Sequence, residues 1–216
     1  MAKQAYPPRI YVLAGTNGAG KSSIGGATFR KRGAEYFNPD EAARQILSAN
    51  PFISREEANS AAWSEGKRLL ERAIGERRDF AFETTLGGRT ICALLRKALA
   101  AGIEVRVWYV GLESLELHIA RVRARVKNGG HDIPEAKIRE RYVASRWNLM
   151  ELLPKLSELL VFDNSEEGDP QAGSTPKPKL ILHTKSGKIV ALCEAKRAPN
   201  WAKPILMAAL NASAMK

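Results

Sequence analysis

The run RIYVLAGTNGAGKSS, residues 9–23, decides the fold. Its apolar opening, RIYVLA, reads as a strand, and glycines at 15, 18 and 20 then break the pattern ahead of a helix. Gly15, Gly20, Lys21 and Ser22 fit G-x-x-x-x-G-K-[ST]. The glycines let consecutive backbone N–H groups turn toward phosphate oxygens, and the following helix start adds its positive end. Lys21 is placed to reach the β and γ phosphates and Ser22 to ligate Mg²⁺. Gly15, Thr16, Asn17, Gly18, Ala19, Gly20, Lys21, Ser22 and Ser23 therefore form the expected cradle for ATP, with GTP left open. The bland alternative is a Gly-rich strand-to-helix turn, but the full pattern arises by chance in on the order of 1% of chains of this length.

Working outward, further strand-like runs occur at AEYFN (34–38), DFAFE (79–83), IEVRVWYVG (103–111) and LLVFD (159–163), with helical patterns between them. Ser54 and Glu57 have the form of a capping box ahead of a helix to about Arg77, and Gly102 is placed to stop a helix over about 90–101. Alternation of this kind implies an α/β fold, a three-layer α/β/α arrangement around a mainly parallel five-stranded sheet. Ligands of such sheets bind at the carboxyl ends of the strands. That puts Gly15 to Ser22, Asn38 to Glu41, Glu83 to Arg89 and Gly111 on one rim.

The segment from about 112 to 153 reads as an insertion, an Arg-rich helical lid. Leu115, Ile119, Val122 and Val126 make an apolar stripe, while Arg121 and Arg125 share another face one turn apart. Gly129-Gly130-His131 breaks the first helix, and Pro134 suits the first turn of the second. After Asp163 comes a polar Pro/Gly loop and then LILHTKSGKIVALCEA, a β-hairpin about Lys185-Ser186-Gly187-Lys188 that covers a sheet edge. The expected organisation is one domain: a core over 1–165 carrying the lid, and a C-terminal extension over 166–216 packed on it.

Composition narrows the function. The chain has 216 residues, 44% hydrophobic, which suffices for one substantial core. Its N-terminus lacks the apolar run of a secretory signal and no segment reaches the roughly 20 apolar residues of a membrane helix, so a soluble cytoplasmic protein is expected, with no membrane partner. The two cysteines, Cys92 and Cys193, have no metal-ligand spacing around them. The net charge of +11 suits either a nucleic-acid surface or a site for a triphosphate and an anionic acceptor. Much of the excess sits in the lid, from Arg121 to Arg146.

Phosphoryl transfer needs a group that orients or deprotonates the acceptor. Asp40 is the candidate, because Asn38 before Pro39 is the better helix cap and leaves Asp40 free for chemistry. Glu83 ends the DFAFE run and is placed to bind Mg²⁺ or to accept substrate hydroxyls, with a solvated strand end as the plain alternative; Thr85 and Arg89 on the same loop are candidate acceptor contacts, as is Arg139. Lid arginines would stabilise charge on the transferring phosphoryl group. Arg125 and Arg141 are placed with catalysis beside Lys21, and Arg121 with the nucleotide; the bland alternative for all four is a solvated basic face. His131 belongs to the hinge.

GTNGAGKSS, FNPDEAAR, FETTLGGRT and RVRARVKNGGHDIPEAKIRERYVASRWNL together resemble the zeta toxin family of P-loop kinases, especially its short bacterial members. The resemblance implies a kinase whose best-known relatives phosphorylate the 3'-hydroxyl of the amino sugar in UDP-N-acetylglucosamine. It implies Asp40 as catalytic base, Glu83 and Thr85 on the acceptor, and lid arginines on the phosphates. It also implies a separate antitoxin protein as a possible partner, because no N-terminal helical region stands here to act as a built-in one. Between Thr85 and Arg89 the chain departs from the long zeta toxins by reading LGG. The alternatives are a polynucleotide kinase, an antibiotic kinase, and a nucleotide-gated ATPase or binding module in which Asp163 serves as a Walker-B-like acid.

Overall fold

A computed structural model describes residues 6–22, 24, 36–130, 132–166 and 177–214. Ser23, His131, the start of the AEYFN run and most of the Pro/Gly loop before the hairpin lie outside these residues.

The described strands form one seven-stranded sheet. They are β1 (Arg9–Ala14), β2 (Tyr36–Phe37), β3 (Phe80–Thr84), β4 (Glu104–Gly111), β5 (Glu158–Asp163), β6 (Lys179–Lys185) and β7 (Lys188–Leu192), in the order β2-β3-β1-β4-β5-β6-β7. The first five are parallel, in register with Val12 opposite both Phe82 and Val107. β1 is central and buried on both faces, which explains its unbroken apolar run. The glycine loop therefore emerges in the middle of the rim, between the ends of β3 and β4.

The helices are α1 (Pro39–Ala49), α2 (Arg55–Gly75), α3 (Arg89–Ala100), α4 (Leu115–Lys127), α5 (Glu135–Leu152) and α6 (Lys203–Ala214). Their ends follow local chemistry. Asn38 caps α1 by accepting from the Asp40 and Glu41 N–H groups, with Pro39 in the first turn. Ser54 and Glu57 form the reciprocal capping box of α2. Past α3, Gly102 takes φ +70° and donates to the Leu99 carbonyl while Ile103 donates to Ala98, the two bonds of a Schellman motif. Pro134 stands one position before the expected first turn, as the N-cap of α5.

Strand alternation splits the sheet's side chains between two faces. Ile10, Val12, Phe80, Phe82, Val105, Val107, Leu159 and Val161 join the large core with residues of α2, α3, α5 and α6, while Tyr11, Leu13, Ala81 and Val110 meet Ala19 and Ile24 on the other. The helical pair α4–α5 has a small core of its own, Ile119, Val122, Ile133 and Ile138, flanked by Leu115 and Val126.

The hairpin covers an edge of the sheet, as read, and what differs from expectation is the number of strands. β6 pairs antiparallel with β5 and extends the sheet from five strands to seven. The physical reason is that the outer edge of β5 offers unpaired backbone groups, which an added strand satisfies. Its turn is as read: Ser186 and Gly187 both have positive φ, 49° and 78°, as a two-residue type I′ turn requires. The sequence patterns also passed over α6. This helix and the preceding Trp201 and Ala202 contribute to the main core.

Candidate active site

The glycine loop is shaped by close approaches. Gly15, at φ +139°, has no space for a side chain, since a Cβ there would lie 2.1 Å from the Val110 carbonyl oxygen. At Gly18, φ +82°, a Cβ would meet the His118 carbonyl oxygen of α4 at 2.6 Å. The Ala19 N–H closes the turn on the Thr16 carbonyl at 3.2 Å. Helical backbone resumes at Lys21.

Lys21 and Glu83 face one another below this loop. The Lys21 ammonium is 7% exposed and lies 3.6 Å from Glu83 Oε1 and 3.5 Å from the Thr16 carbonyl oxygen. Both distances exceed those of a good charged hydrogen bond, so a buried cation here retains capacity for an anion. Glu83 ends β3 on the rim, and its Oε2 accepts from the Ser22 hydroxyl at 2.9 Å, the Tyr36 hydroxyl at 3.1 Å and the Asn38 amide at 3.2 Å. A plain solvated strand end does not describe a carboxylate that is 8% exposed and bonded this way. The Ser22 hydroxyl and Glu83 carboxylate are hard oxygen donors of the kind Mg²⁺ takes, and Mg²⁺ commonly uses one or two such protein groups together with substrate phosphates. The residues present therefore fit a nucleoside triphosphate with its Mg²⁺.

Asp40 lies in the first turn of α1, half exposed, with Oδ2 3.6 Å from Arg125 Nη1. Arg121 and Arg125 share a helix face one turn apart, yet they reach different ends of the site. Arg121 donates to the carbonyl oxygens of Asn164, Ser165 and Glu166 beyond β5. From α5, Arg141 donates to the Asn17 side-chain oxygen at 2.9 Å. Thr85 accepts from the Gly87 N–H at 3.4 Å in the loop after β3.

Two residues with expected acceptor roles are not drawn into this cluster. Arg139 is exposed and held by Glu135 of the same helix, a pair that also keeps the Glu135 carboxyl below its ordinary range. Arg89 opens α3 at an exposed position. Asp163 is engaged by the Trp201 indole N–H at 3.0 Å and the Ser165 hydroxyl at 2.6 Å. Gly111, also on the rim, packs so closely on Trp201 that a Cβ would lie 2.3 Å from its ring.

Sequence reasoning passed over three participants. Asn164 donates to the Ala19 carbonyl at 2.9 Å and ties the end of β5 to the glycine loop. Tyr36 completes the Glu83 cluster. His118, 1% exposed in α4, binds the Asn17 carbonyl oxygen through Nδ1 at 2.7 Å. A histidine inside the apolar stripe of α4 was the available signal for the last; the other two had none.

Residues 2–167 match the zeta toxin family. An uncharacterized protein of Haemophilus influenzae is 34% identical over 129 residues, 59% of this chain and 88% of that one. Among solved structures, the AvrRxo1-ORF1:AvrRxo1-ORF2 complex with sulphate ions is similar at TM-score 0.64 and 15% identity, over 94% of this chain. The match spans 64% of the AvrRxo1 chain. A structure of the PezAT chromosomal toxin-antitoxin system of Streptococcus pneumoniae is similar at TM-score 0.56 and 15% identity, covering 97% of this chain and 87% of that one. At these identities the solved structures show the shared fold, while the family match together with the P-loop kinase-like architecture supports a nucleotide-dependent kinase. On its sequence match over most of its length, the chain belongs to the zeta toxin family.

Proposed function

We propose that this chain is an ATP-dependent phosphotransferase that moves a γ-phosphoryl group to a hydroxyl of a small molecule, with UDP-N-acetylglucosamine or a related nucleotide sugar as acceptor. One observation carries the reading: a buried Lys21–Glu83 pair, joined by the Ser22 hydroxyl, and an accessible Asp40–Arg125 pair occupy the same rim. The first suits a triphosphate, the second an acceptor. A structure similar in fold was solved with ATP, and this supports ATP as donor.

In this reading Lys21 and the loop N–H groups hold the phosphates, and Ser22 with Glu83 would hold Mg²⁺. When bound there, the cation would neutralise charge on the phosphates. Asp40 accepts the proton of the acceptor hydroxyl; at half exposure it is open to an incoming substrate. Arg125 and Arg141 place positive charge where the transferring oxygens gather, and Arg121 secures the nucleotide side. Thr85 and Arg89 line the approach of the acceptor, and Arg139 reaches it only by releasing Glu135. The toxin-antitoxin system among the similar structures motivates a separate antitoxin protein as partner.

Mass spectrometry of a metabolite extract with Mg-ATP and added UDP-N-acetylglucosamine tests the reading. Wild-type protein phosphorylates the sugar nucleotide and Asp40→Ala does not. Phosphate on another metabolite would retain the kinase and remove this acceptor; ATP turnover at an unchanged rate without any acceptor would sink the kinase.

A further inference from the structure

One residue of the glycine loop is gripped from two helices at once. Asn17 accepts at its backbone carbonyl from His118 Nδ1 of α4, 2.7 Å, and at its side-chain oxygen from Arg141 of α5, 2.9 Å. The contact with α4 is tight, since the His118 carbonyl oxygen and Val122 Cγ2 bracket the Gly18 Cα so closely that a Cβ would lie 2.6 and 3.3 Å from them. A carbonyl only accepts, so the His118 proton sits on Nδ1. The ring is fixed on its other side by Tyr142 of α5, edge-on at 5.5 Å, and Tyr142 in turn carries the Arg146 guanidinium 3.9 Å from its ring centre.

The consequence follows from peptide geometry. In a trans peptide the N–H points opposite to the C=O. Drawing the Asn17 carbonyl to α4 therefore turns the Gly18 N–H away from α4. A peptide unit preceding glycine has two accessible orientations, because glycine takes positive and negative φ about equally. Gly18 stands at +82°. His118 selects that state.

We propose that His118 is a positioning residue for the phosphate loop: its Nδ1–H holds the Asn17–Gly18 peptide in the orientation that presents the Gly18 N–H to a nucleotide phosphate, with Arg141 fixing the same residue by its side chain. This rests on the nucleotide-binding reading above. It gives a core-like histidine, which touches no reacting group, a role in triphosphate affinity, and it ties helices α4 and α5 to that affinity. The charged and titratable groups around the ring are Lys21 after the loop, Arg121 on α4, and Arg141, Tyr142 and Arg146 on α5. All the cations among them oppose an imidazolium, so the device works with neutral histidine.

The test is calorimetric titration of the full chain with Mg-ATP, beside a thermal melt of each variant. His118→Asn places an amide N–H close to the Nδ1 position and cannot ionise; His118→Leu has no donor, and His118→Gln carries its amide one bond too far out. Affinity in the Asn variant stays near wild type, while the Leu and Gln variants weaken about tenfold, as expected for loss of one hydrogen bond that orients a ligand contact. Should Leu fail to fold, Gln decides. Equal affinity in all the folded variants, or equal weakening in Asn and Gln, overturns the assignment while leaving the nucleotide site standing. Wild-type protein that binds neither ATP nor GTP overturns the nucleotide reading itself and this assignment with it.

Discussion

Asp40 and Arg125 face each other across the rim at 3.6 Å, a carboxylate at the start of α1 and a guanidinium near the end of α4. Both are more than a third exposed, so the ion pair contributes less than about 1 kcal/mol to stability. In the proposed reaction its weight falls on chemistry. Arg125→Ala is expected to leave the melting temperature within a degree or two and to slow phosphoryl transfer by about two orders of magnitude or more. Transfer kinetics beside a thermal melt check this, and an unchanged rate would remove Arg125 from the reacting site.

Glu83 carries the opposite balance. Buried, and bonded to Ser22, Tyr36 and Asn38 beside Lys21, it is a structural tie as well as the proposed holder of Mg²⁺. Glu83→Ala strands a buried ammonium and three donors, and is expected to cost about 3 kcal/mol as well as activity. Glu83→Gln keeps the shape and loses less stability. Urea unfolding of both variants measures the difference; a loss below about 1 kcal/mol for the alanine variant contradicts a tightly knit cluster.

His118 makes stability depend on acidity. Burial, and then Lys21, Arg121 and Arg146, outweigh the raising effect of the Asn17 hydrogen bond and push its pKa down to about 4. A depressed folded value means that the unfolded chain takes up the proton first. The contribution is therefore complete above the ordinary value near 6.5 and is lost as pH falls toward 4, by up to about 3 kcal/mol. Denaturant midpoints for wild type and His118→Asn between pH 7 and 4.5 test the sign. The curve of the variant is flatter, and parallel curves would refute the shift.

Trp201 anchors the C-terminal segment. Its ring is 3% exposed, its indole N–H meets Asp163, and it packs on Gly111 and beside Tyr109. Trp201→Ala is expected to destabilise by about 3–5 kcal/mol. Trp201→Phe, which retains most of the packing, loses about 1–2 kcal/mol with the indole hydrogen bond to Asp163, whose carboxylate keeps only the bond from Ser165. Truncation after residue 166 strips β6, β7 and α6 from the edge of β5 and is expected to give an insoluble or molten chain. A soluble truncated form with a cooperative melt would make residues 166–216 dispensable, against the proposed single-domain organisation.

Much of this was legible in sequence because it is local. The glycine loop, the Asn38 cap, the Ser54–Glu57 box and the Gly102 stop each depend on residues within a few positions of one another, where backbone sterics and short side chains leave few alternatives. The parallel order followed from alternating strand and helix patterns, and with it the rim that collects Gly15, Asp40 and Glu83. Tertiary structure alone decided the partners of long side chains. Spacing put Arg121 and Arg125 on one face of α4, but the loop after β5 captures the first and Asp40 the second. Arg139 turns back to Glu135, while Arg141, half a turn on, reaches Asn17. Helical periodicity sets the direction in which a side chain leaves the backbone; the group it meets depends on segments brought together by burial of the sheet, and no local pattern encodes that meeting. The grip of His118 on Asn17 and the joining of the hairpin to β5 arise in the same way.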